Sequence, residues 1–246
     1  MKAKKTLQTL GLLGALAPLV GCDRAPIDEA QQEKFTMLRQ RMVQEQLQPI
    51  GRDISNPRVL EAMLQVPRHE LVPENVRENA YSDFPLPIGH GQTISQPYIV
   101  AFMTQVLDPQ PDDRVLEVGT GSGYQAAVLA QLVNRVYTIE IVEPLAERAT
   151  ADLKRLGYTN IFVRAGDGYQ GWPDAAPFDA VIVTCAPDHV PQPLVDQLRE
   201  GGRLIIPVGP EGGVQELVLL TKQADRLEKQ AVLPVRFVPM TGEAQQ

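Results

Sequence analysis

The residues with the clearest chemical potential form one short segment, Glu117-Val118-Gly119-Thr120-Gly121-Ser122-Gly123, which ends an apolar run. Glycines at the point where a strand becomes a helix let the backbone turn tightly and approach a ligand closely. The segment is therefore typical of a site for a nucleotide-like ligand, and we expect Gly119, Thr120, Gly121, Ser122 and Gly123 to border it. Dinucleotides bind at similar turns, so an NAD-dependent oxidoreductase stays open on this feature alone.

Three acidic residues narrow the choice of ligand. Glu117 stands two residues before the first glycine, where a carboxylate would repel pyrophosphate but complement the amino group and sulfonium of S-adenosylmethionine. Glu140 and Asp167 follow the next two predicted strands, at the edge where ligands of open α/β sheets collect. Glu140 can accept both ribose hydroxyls, and Asp167 can accept the adenine amino proton while Gly168 permits close approach. Acids at three successive strand ends favour S-adenosylmethionine.

A second set of polar residues, Thr93 and Ser95, precedes a helix that begins near Pro97. Ser95 is placed to be the N-cap of that helix. A helix N-terminus beside two hydroxyls also suits an anion such as a carboxylate. The 3 histidines of the chain stand at no metal-ligand spacing, so the sequence predicts no metal site.

The elements that must position these residues alternate between strands and helices, which predicts a doubly wound parallel sheet. The predicted strands are 114–118, 136–139, 161–165, 180–184 and 204–208, and the predicted helices are 124–132, 144–156 and 193–198. Two further strands, 216–221 and 232–238, have no helix between them and should pair antiparallel at the edge, where Pro234 is tolerated. The Gly201-Gly202 pair is expected to break the chain before the fifth strand.

An N-terminal helical cap is predicted before the sheet. Apolar residues recur at helical spacing from Phe35 to Val43, Pro57 is expected at the first position of a second helix, and 97–107 has the pattern of an amphipathic helix. Residues 85–91 are predicted to be an extended loop. We therefore expect a polar tether over 22–34 and one domain over 35–246, with the cap and substrate loop in 35–108 and the cofactor-binding core in 109–246.

The first residues have the pattern of an export signal. Lysines precede an apolar run from Leu10 to Val20 that is too short to cross a bilayer as a mature helix. The run ends in Leu19-Val20-Gly21-Cys22, which resembles the lipobox of bacterial lipoproteins. Residues 1–21 are then a cleaved signal peptide, and Cys22 is lipidated. Asp23 resembles an inner-membrane retention signal, so we expect the protein to be anchored to the inner membrane and to face the periplasm. The alternative is a cytoplasmic protein with an uncleaved N-terminus.

The charge and the cysteine count restrict the partners. The formal net charge is −7, which disfavours nucleic acid. The chain has 2 cysteines, so acylation of Cys22 leaves Cys185 without a disulfide partner, and we expect Cys185 in the core.

Five segments together resemble the protein-L-isoaspartate O-methyltransferases, over about residues 36–242. They are Leu86–Val100 with its T-I-S-Q-P motif, the E-V-G-T-G-S-G turn, Gly166-Asp167-Gly168, Phe178–Thr184, and Arg236-Phe237-Val238-Pro239. The resemblance implies a class I, Rossmann-like methyltransferase fold with seven strands. It also implies S-adenosylmethionine as the cofactor and isoaspartyl proteins and peptides as substrates.

The resemblance also assigns roles to residues. It implies that Ser95, with Thr93, is the active-site hydroxyl, and that Val238 and Pro239 contact the substrate peptide. Besides the residues already assigned at the strand ends, the resemblance implies that the cofactor is bordered by Gln92, Thr93, Ile94, Ser95 and Thr241. We expect a monomer. A lipoprotein that binds damaged peptides without turnover remains an alternative, because a periplasm is not expected to supply S-adenosylmethionine.

Overall fold

The structure is a computed structural model that describes residues 27–224 and 226–242. The predicted signal peptide, Cys22 and most of the predicted tether lie outside these residues. Within the described part, no helix has the length and apolar character needed to cross a membrane.

The cap begins earlier than the sequence predicts. Helix α1 spans Glu29–Arg41, so the tether predicted over 22–34 is wrong for its last six residues. Its start is fixed by a capping box, in which Asp28 accepts the Gln31 backbone N–H and the Gln31 side chain accepts the Asp28 N–H. A π-helical turn, Met42–Leu47, continues α1. Helix α2, Pro57–Gln65, begins with Pro57 at its first turn as predicted, and Asn56 caps it.

The segment predicted as an extended loop forms a small hairpin instead. Strands β1 (Leu86–Gly89) and β2 (Gln92–Ile94) pair antiparallel, and the chain reverses at Gly89-His90-Gly91 with positive φ at all three residues. Helix α3 follows over Pro97–Leu107.

Ser95 is not the cap of α3, which corrects the sequence prediction. Gln96 occupies the N-cap position without a side-chain bond to the helix. The Asp83 carboxylate instead accepts the Tyr98 backbone N–H at 3.1 Å and the Gln96 side-chain amide at 2.9 Å. The Ser95 hydroxyl is therefore not committed to capping the helix.

Seven strands follow the cap: β3 Arg114–Val118, β4 Arg135–Glu140, β5 Ile161–Ala165, β6 Phe178–Val183, β7 Leu198–Val208, β8 Gln215–Gln223 and β9 Arg226–Val235. They confirm the predicted seven-stranded sheet, in the order β5-β4-β3-β6-β7-β8-β9. Strands β3 to β7 run parallel, whereas β8 pairs antiparallel with β7 and β9 pairs antiparallel with β8. The helices between them are α4 Tyr124–Ala130, α5 Glu143–Arg155 and α6 Gln192–Asp196.

The predicted bounds of β7 and β9 are wrong, and β9 already begins at Arg226 rather than at residue 232. Strand β7 runs through Gly201-Gly202 rather than beginning after it, because Gly201 takes a positive φ of 74° while the pairing with β6 shifts register. Strand β9 ends at Val235, so 236–238 leave the sheet edge and cross toward the carboxyl ends of the parallel strands. Pro234 lies on this edge strand, as predicted.

Apolar residues cover both faces of the sheet. One cluster joins the cap, α3 and α4 to Val115, Ala180 and Ile205, and the other packs Leu116, Val181 and neighbouring residues on the opposite face. The alternating side chains of β3 and β6 thus reach different clusters. The cap therefore packs against one face of the sheet, and its residues 92–95 border a cavity at the carboxyl ends of the parallel strands.

Candidate active site

Two cavities meet above the carboxyl ends of the parallel strands. The first has an empty volume of about 730 Å³ including its open mouth, and the glycine turn after β3 forms part of its wall. The second is a groove of about 1410 Å³ beside the residues that follow β9. Four residues border both cavities, namely Thr93, Ser95, Thr184 and Val238. A molecule in the first cavity and a molecule in the groove would therefore meet at these side chains.

The glycine turn approaches the neighbouring strand too closely for larger residues. A Cβ atom on Gly119, whose φ is 100°, would lie 2.5 Å from the Thr184 hydroxyl oxygen. That hydroxyl group donates to the Gly119 carbonyl at 2.7 Å. Gly123 does not border the cavity; its φ of 82° opens α4, and a Cβ there would lie 3.1 Å from Leu153. Of the predicted turn residues, Gly119, Thr120, Gly121 and Ser122 border the cavity.

Glu117 is a buried carboxyl group at the cavity wall. Its Oε2 accepts a hydrogen bond from the Thr138 hydroxyl at 2.6 Å, and that hydroxyl lies 2.6 Å from the Thr120 hydroxyl. Its Oε1 is buried and has no hydrogen-bond partner among the described residues. Burial raises the pKa of Glu117 to about 8, the Thr138 hydrogen bond opposes the rise, and the nearby Glu140 adds to it.

The unpartnered Oε1 atom tests which ligand the cavity fits. A buried carboxylate is stable only beside a cation or a hydrogen-bond donor, because desolvation of an isolated charge is costly. The ammonium and sulfonium groups of S-adenosylmethionine supply positive charge, whereas the pyrophosphate of a dinucleotide would add negative charge. The residues present therefore fit S-adenosylmethionine.

Glu140 is held in place by the backbone. Its Oε2 accepts the Gly121 N–H at 2.7 Å, and its Oε1 accepts the Val142 N–H at 2.9 Å. Each carboxylate oxygen has two lone pairs, so both can still accept a ribose hydroxyl. Glu140 borders the cavity, as does Ile141 directly after it.

The third predicted acid is placed differently. Gly168 borders the cavity, but Asp167 does not. The Asp167 carboxylate accepts the Tyr169 N–H at 2.9 Å and lies so close to Gly242 that a Cβ there would be 2.3 Å from Oδ1. A Cβ on Gly168 would lie 2.4 Å from a Val118 methyl carbon. Gly168 thus allows the backbone after β5 to approach Val118 of β3 closely, and Asp167 fixes the turn that carries Gly168.

The C-terminal segment also lines the first cavity. Val238, Pro239, Met240 and Thr241 border it, as do Gln92, Thr93, Ile94 and Ser95 from the hairpin and the residue after it. Ala186 holds this segment, since its N–H donates to the Val238 carbonyl at 2.8 Å and its carbonyl accepts the Met240 N–H at 2.9 Å. Backbone hydrogen bonds therefore fix the C-terminal segment beside the carboxyl end of β6.

Several lining residues were not predicted from the sequence. They are Tyr124, Gln125, Ile141, Thr184 and Cys185. Thr184 and Cys185 follow β6 at a fourth parallel strand end, and that position was the available signal. Cys185, which was expected in the core, packs against the apolar cluster on one face of the sheet, but it is only partly buried and also borders the cavity. Desolvation of the sulfur atom raises the pKa of the Cys185 thiol, and the nearby Glu140 and Glu117 add to the rise, so the thiol stays protonated at neutral pH.

Among residues 27–224 and 226–242, no group of histidine, cysteine and acidic residues could hold a metal ion.

The sheet order, the glycine turn and the unpartnered carboxyl group together define a class I, S-adenosylmethionine-dependent methyltransferase. A family model for protein-L-isoaspartate(D-aspartate) O-methyltransferase (PCMT) matches residues 39–245. The chain belongs to this family, which confirms the predicted fold class, cofactor and enzyme class and rules against both the oxidoreductase and the non-catalytic lipoprotein.

Individual relatives agree with the family model. The chain is 57% identical to a protein-L-isoaspartate O-methyltransferase of Opitutus terrae, over 93% of this chain and 96% of that protein. It is 50% identical to one of Picosynechococcus sp., over 90% and 98% of the two chains.

Solved structures show the same fold. A protein-L-isoaspartate O-methyltransferase superposes with a TM-score of 0.74 at 29% identity, covering 86% of this chain and 66% of that one. A Plasmodium falciparum member of that enzyme class, in complex with S-adenosyl-L-homocysteine, superposes with a TM-score of 0.71 at 28% identity, covering 84% of this chain and 98% of that chain.

Proposed function

We propose that the chain transfers the methyl group of S-adenosylmethionine to the free carboxylate of L-isoaspartyl residues, and that Ser95 and Thr93 hold that carboxylate. The observation that carries the assignment is the junction of the two cavities, which both hydroxyl residues border. The cofactor occupies the first cavity and the substrate peptide occupies the groove. Oxygen, methyl carbon and sulfur can then align at the junction.

The reaction asks little acid or base catalysis of the protein. The free carboxylate of an isoaspartyl residue has a reference pKa of about 3.5 and is ionised at neutral pH. When bound, S-adenosylmethionine supplies an electrophilic methyl group: an O–CH3 bond forms, the S–CH3 bond breaks, and its electron pair stays on sulfur. The tasks of the protein are to orient the carboxylate through Ser95 and Thr93 and to exclude water beneath Val238 and Pro239. The ester then cyclises without the enzyme, which begins repair.

The cofactor contacts follow from the cavity wall. Glu117 would pair with the positive groups of bound S-adenosylmethionine, Glu140 would accept the ribose hydroxyls, and Gly119 and Gly121 would allow the backbone to approach the cofactor. Ile141 and Gly168 line the cavity and would contact the adenine, while Asp167 fixes the turn that carries Gly168.

Substitution of Ser95 tests the role of the junction. A hydrogen bond to a charged group contributes about 1.5–3 kcal/mol, so Ser95→Ala should lower kcat/KM for an isoaspartyl peptide about ten- to a hundredfold. Ser55→Ala is the matched control, because Ser55 is exposed and does not border either cavity. Full activity in Ser95→Ala would show that the hydroxyl does not position the carboxylate.

We further propose that the chain is a lipoprotein anchored through Cys22 to the inner membrane and facing the periplasm, and that it acts as a monomer. The support for the anchor is the sequence pattern of residues 1–23. Acyl chains on Cys22 would hold it at the membrane, since each buried methylene contributes roughly 0.8 kcal/mol.

Metabolic labelling with palmitate tests the anchor. Label should be present in the unmodified chain and in Cys185→Ala, and absent from Cys22→Ala; these are the 2 cysteines of the sequence. Label that survives Cys22→Ala, or no label at all, would favour a cytoplasmic protein. Fractionation of the same cells would then show where the enzyme meets S-adenosylmethionine.

A further inference from the structure

The groove beside the cofactor cavity is lined mainly by apolar residues and one cationic side chain. Its lining includes a run of apolar side chains: Pro85, Ile99, Val214, Val235, Phe237 and Val238. Arg236 is the one charged residue among those that line it within the described part of the chain. The formal net charge of the whole chain is −7, so the charge of Arg236 is opposite in sign to the net charge of the protein.

Arg236 is not engaged by the rest of the described protein. Its side chain is exposed, and no hydrogen bond or ion pair joins it to residues 27–224 or 226–242. The acidic residue at the facing end of β8, Glu216, is paired with Lys229 at 3.3 Å. The Arg236 guanidinium is therefore available to form an ion pair with a ligand in the groove.

The backbone on both sides of Arg236 is fixed. Val235 pairs with Gln215 in the sheet, and the Phe237 N–H donates to the Gln215 side-chain oxygen at 2.9 Å. Val238, two residues later, is hydrogen-bonded to Ala186 and borders the junction of the cavities. The guanidinium is thus carried on an ordered segment close to the reacting carboxylate.

We propose that Arg236 makes the enzyme selective for isoaspartyl residues that have an acidic side chain nearby in the sequence. This inference rests on the proposed function, because it assigns the groove to the substrate peptide. One residue, Phe237, separates Arg236 from Val238, and an extended peptide advances about 3.3 Å per residue. An acidic side chain one to three residues from the isoaspartyl residue would therefore come within reach of the guanidinium.

A peptide series tests the proposal. An uncharged isoaspartyl host peptide is made with Glu, Gln or Lys at each position from three before to three after the isoaspartyl residue, and KM and kcat are measured separately. An exposed ion pair contributes about 0.2–1 kcal/mol, so Glu should lower KM up to about fivefold relative to Gln at one or two positions. The preference should shrink at high salt, while kcat changes little.

Charge reversal supplies the decisive comparison. Arg236→Glu should invert the order, so that the Lys peptide has a lower KM than the Glu peptide. Arg226→Glu is the matched control: Arg226 is exposed, begins β9 and borders neither cavity, yet its reversal changes the net charge equally. The control should keep the Glu preference.

Equal effects of the two reversals would show that only the net charge matters, and equal KM values for Glu and Gln peptides in the unmodified enzyme would also overturn the proposal. The Gln peptide separates this outcome from a failure of the proposed function. If that peptide is methylated but flanking charge has no effect, only the selectivity inference is wrong. If no isoaspartyl peptide is methylated, the proposed function itself is wrong.

Discussion

Binding of S-adenosylmethionine should release a proton from Glu117. The pKa of this buried carboxyl group is raised to about 8, so in the free enzyme at pH 7 it is about nine-tenths protonated. The cationic groups of the cofactor pair with the ionised form. The equilibrium affinity should therefore rise about tenfold between pH 6 and pH 7 and level off above pH 8.

Titration calorimetry measures this release directly. At pH 7, titrations in buffers of different ionisation enthalpy should report close to one proton released per cofactor bound. Glu117→Gln should abolish both the release and the pH dependence. The exposed Glu74→Gln should retain both. Binding without proton release at pH 7, or an unchanged pH dependence in Glu117→Gln, would refute the role given to Glu117.

The same raised pKa has a consequence for stability without cofactor. In the unfolded chain the carboxyl group of Glu117 ionises with its ordinary pKa of 4.5, whereas in the native state it holds its proton to about pH 8. The native state is thus favoured less as pH rises through this window. Relative to Glu117→Gln, the unmodified enzyme should lose about 3 kcal/mol of unfolding free energy between pH 4.5 and pH 7, measured by urea denaturation. Parallel pH profiles for the two proteins would contradict this.

Three further substitutions test neighbouring parts of the site. Thr138→Val removes the hydrogen bond to ionised Glu117 and should move the midpoint of the pH dependence of cofactor affinity upward by about one unit; an unmoved midpoint would contradict it. Gly168→Ala should lower cofactor affinity and cost about 1–3 kcal/mol of stability, measured by calorimetry and urea unfolding, whereas Gly166→Ala has room and should be tolerated; equal effects would contradict the close approach. Asp83→Ala should cost about 0.5–2 kcal/mol in urea unfolding because α3 loses its cap, while Ser95→Ala should not; the reverse result would restore Ser95 as the cap.

The parallel sheet and its acids were predictable because their signals are local. Apolar strands separated by helical patterns place successive carboxyl ends on one edge, so the sequence alone assigns Glu117 and Glu140 to a common site. The state of Glu117 could not be predicted. Its burial and its bond to Thr138, 21 residues away in sequence, exist only once β3 and β4 pair.

Several of the wrong or missing predictions depend on how segments distant in sequence pack together. Ser95 has the residue type of a helix cap, but Asp83 reaches the helix from 15 residues away. Gly201 has the type of a chain break, but its positive φ lets β7 continue beside β6. Thr184 and Cys185 have no distinctive motif and gain their place in the wall from the pairing of β3 with β6. Residue type alone does not decide among such competing partners.

The proposed function is tested by methyl transfer from tritiated S-adenosylmethionine to a pair of peptides that differ only in having an isoaspartyl or a normal aspartyl residue. We expect base-labile label on the isoaspartyl peptide, little on its aspartyl twin, and a strong reduction with Ser95→Ala. Equal labelling of the two peptides, or no labelling of either by enzyme that binds the cofactor, would contradict the proposed function.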